Sequence, residues 1–346
     1  MAVDIRGVPP VRRAFVTGAT GGIGTAVCTH LVSSGWEVIA LARPGSETGT
    51  IEKLDRLQIV QCDLHDERSL TEMMRGCDTV FHLAAMVHAP GGTPDAEFQR
   101  VNVFGTRAVL DAAEASDVSV FVFFSTVAVY PESENLVDES SVVGPSTPYG
   151  KSKLEAEELV FGKKNAMRVT VLRLPVVYGP GDRGNVRRLI SAIAKGRFFI
   201  PGSGDNVKTM VAVDDVALAA IHVASDARAA GKVYLVTDER AATLSEIVDA
   251  ISRSLGLKRA PRSLPRPVLS VAGRLADFLS GIVGVRLPIS ASEVRKLASS
   301  TRYDGNRIRR ELGFRSSTGL EHGIAAAVAG YRDAERQGRT SAPGTS

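Results

Sequence analysis

Tyr149 and Lys153 stand four residues apart in the polar run PYGKSKLEAE. On a helix that spacing puts both side chains on one face, one turn apart. An ammonium beside a phenol stabilises the phenolate and lowers its pKa toward working pH. Such a tyrosine can give a proton to a substrate oxygen, or take one from it, while hydride moves at the adjacent carbon. Lys151 falls on another face and is not the partner. Alone, the spacing is also that of an ordinary surface pair. The motifs that precede it single it out.

More than a hundred residues earlier, AFVTGATGGIGTAV ends an apolar run in glycines and then turns helical. Gly18, Gly21 and Gly24 are spaced three apart, with Thr20, Gly22 and Ile23 between them. Glycines there let the backbone bend tightly and approach a ligand closely, and the free N–H groups of the helix start favour a pyrophosphate. The spacing differs from G-x-G-x-x-G, and a tight turn without a ligand is the plain alternative. Between the two motifs, Ser125 and Thr126 close a run of Val and Phe. A hydroxyl at the carboxyl end of a strand lies where ligands bind in such sheets, so either can bond the substrate oxygen; a turn or cap role is the alternative.

The second strand ends Ala42-Arg43, with no acid where dinucleotide folds often bond the ribose 2′-OH. An arginine there suits a 2′-phosphate by charge and by its bidentate fork, which points to NADP, with NAD as the alternative. Asp63, after the third strand, either accepts from the adenine amino group or caps the helix that begins near Asp66.

These residues need a scaffold. Short, nearly continuous apolar runs (14–17, 37–42, 57–62, 79–83, 119–124 and 168–172) alternate with helical patterns at 22–34, 67–74, 97–115 and 149–161. That alternation predicts an α/β doubly wound parallel sheet of Rossmann type, buried on both faces. Residues 1–180 form the dinucleotide-binding domain, to which 209–240 adds sheet strands. Residues 181–208 and 241–336 form a smaller, mostly helical substrate-binding part, and the polar tail 337–346 is expected to be disordered.

The 346 residues carry a net charge of only +4 in scattered clusters, which gives no sign of nucleic-acid binding. Cys28, Cys62 and Cys77 lack metal spacing and read as reduced thiols in a cytoplasmic protein. His82 and His88 lack partners at ligand spacing, so no metal site is expected. No run of about 18 apolar residues exists to span a membrane. The N-terminus, polar and with two prolines, is not that of a signal peptide.

The motifs TGATGGIG, CDL, FHLAA, VNVFGT, FFSTVAVY, YGKSK, LRLPVVYGPGD and VAVDDVALA together resemble the extended short-chain dehydrogenase/reductases, the NAD-dependent epimerase/dehydratase family. The resemblance covers nearly the whole chain. It implies Tyr149 as acid/base, Lys153 as its partner and ribose ligand, and Thr126 as the hydroxyl on the substrate oxygen, with Ser125 just inside. It further implies Gly18, Gly21, Ile23 and Gly24 at the pyrophosphate and Asp63 and Leu64 beside adenine. Leu83, Ala84 and Ala85 would pass under the cofactor, Pro175 would sit near the nicotinamide, and a homodimer would form through a four-helix contact.

Two departures bear on the substrate. Val127-Ala128 replaces the Asp-Glu pair of the 4,6-dehydratases, which argues against that activity. Lys208 stands where nucleotide-sugar epimerases commonly place a pyrophosphate-binding arginine. The tail resembles the branch of 3β-hydroxysteroid dehydrogenases and dihydroflavonol-type reductases. Within it Val268, Leu269, Val271, Leu275, Phe278 and Leu279 fall mainly on one helical stripe, either plain packing or a wall over an apolar pocket. The expected activity is therefore an NAD(P)-dependent oxidoreductase acting on a small-molecule ketone or secondary alcohol. The alternative is a nucleotide-sugar 4-epimerase or 4-ketoreductase with bound NAD, a branch of which Met86–His88 and Gly184–Arg188 are reminiscent. Val87, Asn185 and Lys208 are the expected substrate contacts. A dinucleotide sensor without turnover is disfavoured because Tyr149 and Lys153 both stand.

Overall fold

The computed structural model describes residues 12–87, 94–265, 267–268 and 291–340. Seven strands build the central sheet: β1 (Arg13–Thr17), β2 (Glu37–Ala42), β3 (Leu57–Gln61), β4 (Thr79–His82), β5 (Val120–Thr126), β6 (Arg168–Leu174) and β7 (Lys232–Leu235). Their order is 7-6-5-4-1-2-3 and every pairing is parallel. The order reverses between β1 and β4, and ligands of such sheets bind outside the carboxyl ends at that switch point.

Strand side chains alternate between two cores, as a doubly covered sheet requires. Val16, Phe81, Val122 and Phe124 pack on one face, under α1 (Gly22–Ser33) and α7 (Val213–Ser225). Phe15, Val80, Phe121 and Phe123 pack on the other, under α2 (Glu67–Met74), α4 (Gly105–Ala115) and α5 (Pro148–Gly162).

The helix expected at 97–115 is broken. A short α3 (Asp95–Phe98) runs into a π-turn, Gln99–Phe104, before α4 begins. The wide turn accommodates Asn102, whose amide bonds the Met86 backbone on both N–H and C=O and donates to Ser152 Oγ on α5 at 2.9 Å. π-Turns of this kind often sit at functional sites.

A third core gathers α6 (Asn185–Ala194), α8 (Leu244–Leu255) and the last helix around Tyr178, Ile190, Val248 and Ile324. Of the strands expected in 209–240, only β7 joins the main sheet. Met210–Ala212 instead pairs with Val176–Tyr178 in a separate two-stranded ribbon. Two further helices are α9 (Ala291–Ala298) and α10 (Asn306–Leu312), and the last, α11, spans Leu320–Thr340. Residues 337–340 thus continue a helix where disorder was expected, following the helix-forming run Ala334-Glu335-Arg336-Gln337. Residues 341–346, His88 and the apolar stripe beyond Val268 lie outside the described residues.

Candidate active site

Gly18 closes β1 at φ +68°, a conformation that favours glycine. A Cβ there would lie 2.8 Å from the Ala84 nitrogen, and one on Gly24 2.1 Å from the Gly18 oxygen. These glycines seat the turn on the end of β4 and let α1 start directly beneath it. Gly22 backs onto the Gly181 carbonyl, where a Cβ would come to 2.6 Å. Gly21 is the N-cap of α1, and neither a side-chain cap nor an acidic residue occupies that first turn. The free N–H groups and the helix dipole are therefore available to an anion. A dinucleotide pyrophosphate fits this turn, with Thr20 and Ile23 partly buried beside it.

Thr17 ties the turn to β4. Its Oγ1 accepts from the N–H groups of Leu83 (3.2 Å) and Ala84 (3.1 Å) and lies 2.7 Å from His82 Nδ1. His82 Nε2 lies 2.9 Å from Thr106 Oγ1, which in turn donates to the Asn102 carbonyl at 2.6 Å. With Thr106 donating onward, the consistent tautomer has Nε2–H donating and Nδ1 accepting from Thr17. His82 is fully buried, and burial, aided by the nearby Lys153 charge, holds its pKa down at about 3. It is a neutral post beneath the site. Ala85 stays partly buried beyond Leu83 and Ala84.

The helix that carries Tyr149 and Lys153, α5, is fixed at its first turn. Thr147 caps α5 by accepting from the Gly150 N–H at 3.1 Å, and Pro148 opens the helix. Gly150 rests on the turn after β5, so closely that a Cβ would lie 2.3 Å from the Ala128 oxygen. This contact brings Tyr149 to Thr126, whose Oγ1 accepts from Ala128 N–H at 3.2 Å. Burial pushes the Tyr149 phenol up to about 12, and the hydrogen bond with Thr126 pulls the other way. Burial and Thr126, not Lys153, are what act on that phenol in this structure. Lys153 is 1% exposed, and its Nζ lies 3.8 Å from the centre of the Phe123 ring. Burial brings its pKa down to about 7, opposed by Glu157.

Ser125 is turned away from Thr126. Its hydroxyl donates to Glu157 Oε1 at 2.5 Å in a closed, buried network. Arg173 on β6 binds both oxygens of that carboxylate, at 3.1 and 2.7 Å, and donates to the Tyr130 hydroxyl at 2.7 Å. The Ser125 hydroxyl, expected at the substrate oxygen, is committed to Glu157 in this structure. Ser125 faces Glu157 on α5, whereas Thr126, half-buried at the last position of β5, meets Tyr149 at the start of that helix. Glu157 and Arg173 were not anticipated. The available signal was that Glu157 follows Lys153 by four, on the same helical face.

The remaining candidates are distributed as follows. Arg43 is exposed just past β2, and among the described residues no ion pair or side-chain hydrogen bond engages it. Asp63 accepts from His65 N–H at 2.9 Å and bonds His65 Nδ1 at 2.8 Å, which hold its carboxyl below the usual range. Asp66, not Asp63, caps α2. Leu64 packs on Gly105, and Pro175 is buried just past β6. Val87 is 48% exposed. Asn185, exposed at the first position of α6, accepts from Arg188 at 2.6 Å. Lys208, an expected substrate contact, is engaged by backbone carbonyls. Its Nζ donates to the carbonyls of Lys296 (2.9 Å) and Ser299 (2.6 Å), closing the C-terminal end of α9. Burial pulls its pKa down to about 8.

Residues 14–237 match the NAD dependent epimerase/dehydratase family. The chain is 33% identical over 266 residues to an N-acetyl-alpha-D-glucosaminyl-diphospho-ditrans,octacis-undecaprenol 4-epimerase of Escherichia coli O157:H7, covering 76% of this chain and 80% of that one. It is 30% identical over 321 residues to a 4-hydroxy-2-methyl-3-oxo-4-farnesyl-3,4-dihydroquinoline-1-oxide ketoreductase of Stigmatella aurantiaca, covering 91% and 95%. The solved structure of MoeE5 in complex with UDP-glucose and NAD aligns with a TM-score of 0.72 and 28% identity, over 93% of this chain and 99% of that one. With the sheet order and the glycine turn, these matches place the chain in the NAD dependent epimerase/dehydratase family, as an enzyme of its oxidoreductase and isomerase chemistry.

Proposed function

We propose that the protein is an NADP-linked reductase or dehydrogenase that interconverts an apolar ketone and its secondary alcohol. The observation that carries this reading is Tyr149 set against Thr126 at the carboxyl edge of the sheet, with buried Lys153 one helical turn along. When bound, the nicotinamide supplies or accepts the hydride. The first turn of α1 holds the pyrophosphate through its free N–H groups. Arg43 pairs with the ribose 2′-phosphate. Lys153 bonds the nicotinamide ribose. Thr126 hydrogen-bonds the substrate oxygen, and Tyr149 protonates that oxygen as the carbonyl carbon is reduced, or takes its proton in the reverse direction.

Two observations favour an apolar ketone over a nucleotide sugar. The ammonium of Lys208 is already committed to two carbonyls and so is a poor clamp for a pyrophosphate. No carboxylate stands where Ala42 ends β2. Substrate is taken up by the part built from residues 181–208 and 241–336. A homodimer forms through the helices at 95–115 and α5, supported by Phe104, which is 55% exposed there. Three buried free thiols fit a cytoplasmic setting.

The 33% identity to a 4-epimerase supports a second reading, epimerisation with retained NAD. Calorimetric titration of the purified protein with NAD, NADH, NADP and NADPH separates the two. The reductase reading expects tight NADPH binding, weaker NADH binding and no affinity for UDP. Stoichiometric NAD surviving purification would overturn it in favour of the epimerase.

A further inference from the structure

The substrate-side part carries two stretches without a single acidic residue, Arg183–Gly204 and Ala250–Ala276. They are remote in sequence, and the fold brings parts of them together. α6 packs against α8 within the third core, and each helix is followed by a short strand. Ile200–Pro201 and Ser263–Leu264 pair in parallel, with Ile200 N–H donating to the Arg262 carbonyl at 3.0 Å. The C-terminal ends of both helices therefore lead to one ribbon. At that end Lys195, Arg197, Lys258, Arg259 and Arg262 are all exposed. Among the described residues none of the five makes an ion pair or a side-chain hydrogen bond. Large apolar side chains stand exposed beside them: Phe199 at 41%, Leu257 at 39% and Val268 at 53%.

Unpaired cations around exposed apolar side chains match the surface of a bilayer with anionic lipids. The charges meet headgroups while the apolar groups enter the interface. Nucleic acid is a poorer match, because two of the three apolar residues are aliphatic and offer no face for base stacking. We propose that this end of the substrate-side part docks on an anionic phospholipid membrane surface. α6 starts beside the glycine turn and, at about 1.5 Å per residue, reaches the patch some 15 Å away. Docking there leaves the cofactor turn clear of the bilayer. The proposal does not depend on which cofactor or substrate the enzyme uses.

Co-sedimentation of the full chain with vesicles tests it. Vesicles of equimolar phosphatidylglycerol and phosphatidylcholine should retain the protein, pure phosphatidylcholine should not, and added salt should release it. Replacing Arg197, Lys258, Arg259 and Arg262 by Ala should lower partitioning by about 100-fold or more. Cofactor affinity and melting temperature should stay unchanged. Replacing Phe199 and Leu257 by Ser should weaken binding while leaving its salt dependence intact. The proposal is overturned by any of three results: no binding to anionic vesicles, equal binding to both vesicle types, or full binding by the fourfold variant. Tighter binding to a single-stranded oligonucleotide than to anionic vesicles would assign the patch to nucleic acid instead.

Discussion

The face of α5 that carries Lys153 and the helices of the third core both hold charged residues, and they treat them differently. Under α5, Lys153, Glu157 and Arg173 are almost wholly buried, and each is locked by a neighbour on a different element. Across the third core the cations are more exposed: Lys208 caps a helix, Arg187 and Arg253 form surface ion pairs with Glu335 and Glu321, and Lys258 and Arg259 stand free in solvent. Buried charge survives only when paired and hydrogen-bonded, so the first region fixes geometry. The second leaves several cations exposed at the ends of α6 and α8.

The sharpest way to break this contrast is at Glu157. Glu157→Leu strands the Arg173 guanidinium in the core and should cost about 3–5 kcal/mol of stability, measured by denaturant unfolding. A loss under 1 kcal/mol would mean the network is not the anchor described here. Arg43→Ala should weaken NADPH binding by about 10-fold or more, the range of one charge-assisted contact, and leave NADH binding unchanged. Equal losses for both cofactors would remove the 2′-phosphate assignment.

A pH experiment probes the seam between the two regions. Asp238 accepts from the Tyr178 hydroxyl at 2.7 Å and from Ala212 N–H at 3.1 Å, and burial raises its pKa from 3.8 to about 6. Between those values the folded state holds more protons than the unfolded state, so stability should fall as pH rises from about 4 to 6. The loss is on the order of 2 kcal/mol. Asp238→Asn keeps an acceptor for Ala212 and should flatten this dependence in melting temperatures across that range. The smallest effect is expected at Lys208. Lys208→Met should lower stability by about 1 kcal/mol by freeing the end of α9 and should leave cofactor affinity untouched. A large loss of substrate affinity alone would return Lys208 to the substrate site.

The parallel sheet was legible because strands buried on both faces read as unbroken apolar runs, such as Val120 to Phe124. The glycine turn and the placement of Tyr149 and Lys153 one turn apart on α5 were legible because they are set by one turn and one helix; the expected pull of Lys153 on the phenol was not found, since burial and Thr126 act on it instead. The strand pattern alone did not separate Ser125 from Thr126, which only the family resemblance distinguished, since Glu157, the partner that engages Ser125, lies on another element. The bonds of Lys208 were hidden for a related reason: its partners at Lys296 and Ser299 lie about ninety residues away. The π-turn at Gln99–Phe104 depends on Asn102 reaching Met86 and Ser152, contacts that no helical period encodes. The basic patch escaped notice because its two acid-free stretches lie far apart in sequence and meet only once the chain is folded, through α6 against α8 and a two-residue ribbon.

In the proposed reaction Tyr149, set by Thr126, moves the proton while Ser125 only holds the scaffold. NADPH oxidation against a panel of apolar ketones, with wild type, Tyr149→Phe and Ser125→Ala side by side, tests it most directly. Tyr149→Phe should bind NADPH as wild type does and lose about 10²–10⁴-fold in turnover, while Ser125→Ala should keep most of its turnover and lose only stability. Turnover that survives Tyr149→Phe, or collapses in Ser125→Ala without a fall in stability, would contradict the account.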